Sequence, residues 1–191
     1  MSETVRIHRI VRKATTVGGS RVDRRVERTL SALLHAFVAL VSEENYRAVT
    51  IARIVERANV GRSTFYDHFR TKDDVLLASM EWMFAILADT TDAATPSEEI
   101  EELVRHFWSN RQLAKVVLAP PVEGKLRRAL AARIDDRLGR FNRWAGNQTG
   151  RKIASLSIAA AQLGLLGAWT RGEVSADASM ISAAIRDTAR R

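Results

Sequence analysis

The 191-residue chain contains no cysteine. That removes disulfide frameworks, thiolate zinc or iron–sulfur sites and thiol nucleophiles, and it fits a cytosolic protein. No sustained period-two alternation with turn punctuation occurs, so no strands are expected. Residues Met1 to Ser20 lack an apolar segment of secretory length. The four histidines, His8, His35, His68 and His106, have no metal-ligand spacing, and no glycine-rich loop follows a strand pattern. Asp135-Asp136 lies in an arginine-rich segment where salt bridging accounts for it. No catalytic residue, metal or cofactor is therefore expected. Ile153 to Trp169 is nearly all apolar, yet its 17 positions reach only about 26 Å as a helix, short of a ~30 Å hydrocarbon core. Ser155, Ser157 and Gln162 interrupt it. A buried or interface helix is predicted there, with no membrane partner.

What the chain does have is positive charge, and it is unevenly placed. Thirty Lys and Arg residues face 22 Asp and Glu, a formal net charge of +8. Met1 to Lys72 holds 14 basic and 7 acidic residues, whereas Asp73 to Arg191 holds 16 and 15. A basic segment joined to a nearly neutral remainder points to one part that meets a polyanion and another that does something else.

The apolar pattern is helical throughout. Met1 to Ser20 has no periodicity, carries Arg6, Arg9, Arg12 and Lys13, and reads as a basic disordered arm, residues 1–20. From Val26, apolar residues at Leu30, Leu33, Leu34, Phe37, Leu40 and Val41 form one inward stripe. Thr50 offers an N-cap oxygen to a short helix with Ile51, Ile54, Val55 and Ala58 on one side. Asn59, tolerant of the left-handed conformation, turns the chain. Further helices are predicted over Arg62 to Phe69 and over Lys72 to Leu87. Thr95-Pro96-Ser97-Glu98 reads as a capping box opening a helix to about Trp108. Others run over Arg111 to Leu118, stopped by Pro120-Pro121, then Glu123 to Ala145, Arg151 to Arg171 and Ala176 to Ala189. The count is about nine helices.

Two short helices joined by a tight turn, the second with a polar and basic face, meet the requirement of a helix-turn-helix. In Arg62 to Phe69, Phe65 and Phe69 lie four apart and share the face that would bury. Arg62, Ser63, Thr64, Tyr66, Asp67 and His68 occupy the opposite face, with groups suited to base edges and phosphates.

The run from Thr50 to Leu76, with threonine opening the support helix, an alanine-turn-valine corner at Ala58 to Val60, Thr64-Phe65-Tyr66-Asp67-His68-Phe69, and then Lys72 with Asp73 and Asp74, resembles the DNA-binding signature of the TetR family of bacterial regulators. The resemblance covers about Val26 to Leu77. Asn59 stands where the family usually has glycine, Gly61 where it has serine, and Ser63 where glycine is common.

The resemblance implies an all-α fold: a three-helix DNA-binding domain, residues 21–72, and a helical effector-binding and dimerisation domain, residues 73–191. It implies a sequence-specific, cytoplasmic transcriptional regulator, a dimeric repressor that leaves a palindromic double-stranded operator when a small-molecule effector binds. The implied DNA contacts are Thr50, Arg53, Gly61, Arg62, Ser63, Thr64, Tyr66, His68 and Lys72. Among these, Thr50 and Lys72 sit at helix N-termini facing phosphates. Arg62 is suited to a guanine. The homodimer interface is expected on the last two helices, through Leu156, Ala160, Leu163, Gly164, Gly167, Ile181 and Ile185. Met83, Phe84, Leu87, Leu103, His106, Phe107, Trp108, Arg111 and Trp144 are expected to line an effector pocket, with Lys72 to Leu87 as transmitter. The competing class is a helical ligand-binding or protein-interaction module without DNA activity, which a gel shift separates.

Overall fold

A computed structural model describes residues 21–44, 46–92, 95–120, 122–141, 144 and 146–190. The basic arm expected at residues 1–20 lies outside them. The described residues form ten α-helices and no strand: α1 Arg21–Glu43, α2 Ile51–Ala58, α3 Arg62–His68, α4 Lys72–Ser79, α5 Glu81–Asp89, α6 Ser97–Ser109, α7 Arg111–Val117, α8 Val122–Leu138, α9 Gln148–Arg171 and α10 Ala178–Arg190. The described residues divide into two compact units, with the boundary between Trp82 and Met83.

The tenth helix arises because the segment expected as one helix over Lys72 to Leu87 is two. The backbone departs from helix at Met80, with φ −94° and ψ −3°, although its amide still reaches the carbonyls of Leu76 and Leu77 at 3.2 Å. Neither glycine nor proline stands at this position, so no local residue type signals the break.

In the first unit, α1 packs against α2 and α4. Leu33, Leu34, Phe37, Leu40 and Val41 of α1 are buried, as are Ile54 and Val55 of α2 and Val75 and Leu76 of α4. The stripe at helical spacing therefore does face inward.

The second unit is built on α8, α9 and α10, with α6 and α7 laid against α9. Leu126, Leu130, Ile134 and Leu138, at i, i+4, i+8 and i+12 of α8, are all fully buried. Arg151 of α9 grips Asp135 of α8 through Nε at 3.0 Å and Nη2 at 3.3 Å. Helix α9 is long and apolar enough to cross a membrane by length and composition, but half of that stretch is buried against its own chain. Its buried face includes Ser155 and Gln162; Gln162 Nε2 donates to Thr90 Oγ1 at 2.9 Å and to the Leu87 carbonyl at 3.3 Å.

Several helix ends differ from expectation. Thr95 does not cap α6: Pro96 holds the N-cap position without a side-chain bond, and the Thr95 hydroxyl donates to the Asp89 carbonyl instead. The capping box lies at Thr71, whose hydroxyl accepts from Asp74 N at 3.2 Å while Asp74 Oδ2 accepts from Thr71 N at 2.8 Å. Helix α8 stops at Leu138, before the expected end at Ala145. Helix α9 begins at Gln148 because Asn147 Oδ1 accepts from Gly150 N at 2.8 Å.

Candidate nucleic-acid interface

The turn between α2 and α3 is closed by Asn59, which sits in the left-handed region at φ 53° and ψ 48° and donates its amide to the Glu56 carbonyl at 3.1 Å. Val60 N then bonds the Val55 carbonyl at 3.0 Å. This pair of bonds satisfies the last carbonyls of α2 and turns the chain sharply into α3. Asparagine accepts this conformation where most side chains are strained. Gly61 caps α3 at φ −71°, where a Cβ would meet only Ser63 Oγ and Thr64 Oγ1, both at 3.7 Å. Neither space nor backbone angle demands glycine there.

Helix α3 is held by its aromatic side. Phe65 is fully buried and Phe69 nearly so, with their rings 5.9 Å apart. The Tyr66 and Phe65 rings are nearly perpendicular with their centres 5.4 Å apart, yet Tyr66 remains 56% exposed. Arg62, Ser63 and Asp67 are exposed, while Thr64 and His68 are half-buried. Residues three and four apart thus divide α3 into a packed side and a displayed side, as the spacing predicts. Arg62 has no carboxylate partner among the described residues. Arg70, which the sequence reading passed over, is exposed directly after Phe69. Its only signal was a positive charge adjoining the recognition motif.

The remaining predicted contacts are engaged within the protein. Thr50 caps α2, its hydroxyl accepting from Arg53 N at 3.4 Å. Both terminal nitrogens of Arg53 bind both oxygens of Glu44 in a two-pronged ion pair. Arg57 makes the same fork with Glu43, with Nη2 to Oε1 at 2.6 Å. That guanidinium holds the Glu43 carboxyl below the usual carboxylate range. Lys72 was expected to point at a phosphate. Instead its ammonium donates to the carbonyls of Val49 at 2.8 Å, Tyr46 at 2.9 Å and Arg47 at 3.4 Å, and lies 4.5 Å from the centre of the Tyr46 ring. An ammonium has three donors, and three backbone oxygens take them. Next to it, the Tyr46 hydroxyl donates to the Asp73 carboxylate. Burial, reinforced by Asp73, pushes the Tyr46 phenol far above its ordinary value. The start of α4 therefore clasps the loop that delivers Thr50 to α2.

Lys72→Met is accordingly expected to lower stability by about 1.5–3 kcal/mol, the range for losing hydrogen bonds to a charged group. It should leave the slope of log K against log salt unchanged in duplex binding. A slope shallower by about 0.9, the value of one phosphate contact, would put the ammonium on DNA instead.

In the second unit, the residues expected to line a pocket differ in exposure. Met83, Phe84, Leu87, Leu103 and Phe107 are buried core. His106 is half-buried beside Asn110, whose Nδ2 lies 3.2 Å from Nδ1. Trp108 is 43% exposed and leans on Trp169 with ring centres 4.7 Å apart, and the Arg111 guanidinium lies 5.4 Å from the Trp108 ring centre. Trp144 is half-buried beyond the end of α8. A cleft of about 400 Å³ opens among Asp89, Asp92, Glu99, Arg137, Arg140 and Phe141. Arg137 pairs with Asp89 on its wall.

The expected interface residues also divide. Leu163, Gly167, Ile181 and Ile185 turn inward and are buried within the chain. Leu156, Ala160 and Gly164 face outward, and with Ile153, 61% exposed, they make an apolar stripe along α9 at i, i+3, i+7 and i+11. A Cβ added at Gly164 would meet nothing within 4 Å. Met180 of α10 is exposed to 61%.

Residues 33–79 match the family model described as bacterial regulatory proteins, tetR family. Among curated proteins, the chain is 38% identical over 80 residues, 41% of its length, to an uncharacterized HTH-type transcriptional regulator, YxbF, of Bacillus subtilis. It is 31% identical over 88 residues, 44% of its length, to the HTH-type transcriptional repressor KstR2 of Mycobacterium tuberculosis. The matches take up 21% and 44% of those relatives, so the chain spans less than half the length of either. Among solved structures, it is similar to a TetR transcriptional regulator from Streptococcus agalactiae, with TM-score 0.56 and 22% identity over 88% of this chain and 97% of that one. A putative TetR-family regulator from Syntrophomonas wolfei matches with TM-score 0.54 and 19% identity, over 89% and 95%. The fold of the described residues is that of these regulators.

Proposed function

We propose that this chain, which carries the helix-turn-helix domain of the TetR family, is a sequence-specific transcriptional regulator. It acts in the cytoplasm as a homodimeric repressor and leaves a palindromic operator when a small-molecule effector binds. The observation that carries this reading is α3: two aromatic side chains bury one side while Arg62, Ser63 and Tyr66 stand exposed on the other. In the major groove Arg62, Ser63 and Thr64 reach base edges, Tyr66 and His68 reach phosphate or sugar, and the Gly61 backbone lies at the entry to the groove. Thr50 meets a phosphate at the start of α2. The names of the curated relatives, a transcriptional regulator and a transcriptional repressor, support the same class. No catalytic role is proposed.

Pairing doubles the contact with DNA and imposes two-fold symmetry on the operator. The outward stripe Ile153, Leu156, Ala160 and Gly164, with Met180, supplies an apolar face with small residues for close helix approach. Leu156→Arg places a charge on that face and is expected to shift the protein to monomer in sedimentation, with loss of preference for paired half-sites. A monomeric wild-type chain at micromolar concentration would remove the dimer from the reading. The cleft of about 400 Å³ has room for a small effector. To induce release, such a ligand must prefer the conformer whose recognition helices are misplaced for DNA.

The deciding experiment is selection of binding sites from random duplex DNA by the full chain. Two inverted half-sites, with centres about one helical turn or a multiple of it apart, are expected. Failure to retain any duplex at low salt would leave the helical interaction module as the better reading.

A further inference from the structure

We propose that Glu44 limits DNA affinity by holding Arg53 away from the phosphate backbone. This rests on the DNA-binding reading above and goes beyond it, because it names an acidic residue of α1 as the determinant. Arg53 stands in the first turn of α2, the end at which Thr50 presents the helix amides. Its guanidinium is forked onto both Glu44 oxygens. One turn along, Arg57 is forked onto Glu43 in the same way. The last turn of α1 and the residue after it thus neutralise both exposed cations of the support helix, whereas the guanidinium groups of Arg62, the first residue of α3, and of Arg70, two residues past its end, have no ion-pair partner among the described residues. The two partners differ in cover: the Arg53 side chain is 44% exposed and that of Glu44 is 26%. The guanidinium is therefore the outer member, within reach of solvent and of a polyanion, and the carboxylate stands behind it.

Exposed ion pairs are weak. What holds Arg53 against a phosphate is less the pair itself than its geometry and the negative charge that separation would leave beside DNA. A fork uses two parallel N–H groups and fixes the guanidinium plane. Turning that plane toward a phosphate breaks both bonds and leaves the Glu44 carboxylate uncompensated near a like charge. Glutamine at position 44 keeps the shape and one acceptor while removing that charge, so Arg53 becomes a net cation able to displace a counterion.

The test measures binding of the full chain to a random-sequence duplex across a salt series, for wild type, Glu44→Gln, Arg53→Gln and the double variant, each with a thermal melt to establish folding. Glu44→Gln is expected to steepen the slope of log K against log salt by about 0.9, so that its affinity falls about threefold further than that of wild type between about 50 and 200 mM salt, the increment of one added phosphate contact. The double variant should return to the wild-type slope, and Arg53→Gln alone should leave that slope unchanged. An unchanged or shallower slope in a folded Glu44→Gln protein overturns the inference. So does a slope shallower by about 0.9 in Arg53→Gln alone, which would place Arg53 on phosphate already and decides the matter even if the Glu44 variant fails to fold. A wild-type chain that retains no duplex overturns the DNA-binding reading itself, an outcome distinct from binding that ignores position 44.

Discussion

Phe65→Ala should abolish duplex binding and destabilise the protein by about 3–5 kcal/mol, the range for truncating a buried aromatic ring. Phe65 is fully buried, touches the Phe69 ring, and lies in the middle of a seven-residue helix. So short a helix has too few backbone bonds to persist alone, so its order depends on packing. Removing the ring leaves a cavity between α3 and its support and frees the displayed side chains from any common orientation. Denaturant melts would measure the loss, and a gel shift on the selected operator would read its consequence. Tyr66→Ala is the control. That side chain is 56% exposed, so the melt should move by no more than about 0.5 kcal/mol while DNA binding weakens. If Phe65→Ala melts like wild type, the packed side of α3 has been misidentified.

Arg62→Ala should weaken binding to the selected operator by about 1–3 kcal/mol, between roughly 5-fold and 150-fold, while leaving affinity for random duplex nearly intact. The guanidinium is exposed at the first position of α3, and no carboxylate among the described residues competes for it. A bidentate contact to guanine uses both of its outer nitrogens and is lost entirely in alanine. Competition titrations with operator and random duplex give the ratio directly. Equal losses on both would assign Arg62 to phosphate. Arg53 and Arg62 are the same residue type nine positions apart, yet only Arg62 is expected to contact DNA in the wild-type chain, because the Arg53 guanidinium is forked onto Glu44 and that of Arg62 has no carboxylate partner among the described residues.

Much of the fold was legible locally. The spacing of Leu33, Phe37, Leu40 and Val41, of Ile54 and Val55, and of Phe65 and Phe69 identified helices and their buried sides correctly, because side-chain direction within a helix depends only on the 3.6-residue repeat. The turn at Asn59 was readable for a similar reason: its conformation is a property of one residue type. The break at Met80 was not legible, since no residue there disfavours helix. The capping-box pattern occurs at both Thr95 and Thr71, and only tertiary packing selects between them.

The split of α9 shows where local reading ends. Its small and apolar residues run around most of the helix, so periodicity could not say that Leu163 and Gly167 face α9's own neighbours while Leu156, Ala160 and Gly164 face out. Only the positions of the helices packed on it, α6, α7, α8 and α10, decide that. The fates of the cations were decided the same way. Arg53 meets Glu44 nine residues away, and Lys72 meets carbonyls 23 to 26 residues away. The sequence by itself determined which side of each helix is wet, for that is written in the repeat. Which wet charges remain available to a partner was determined by the tertiary structure alone, because a charge is satisfied by whatever the path of the chain brings within about 3 Å, and no spacing rule encodes that path.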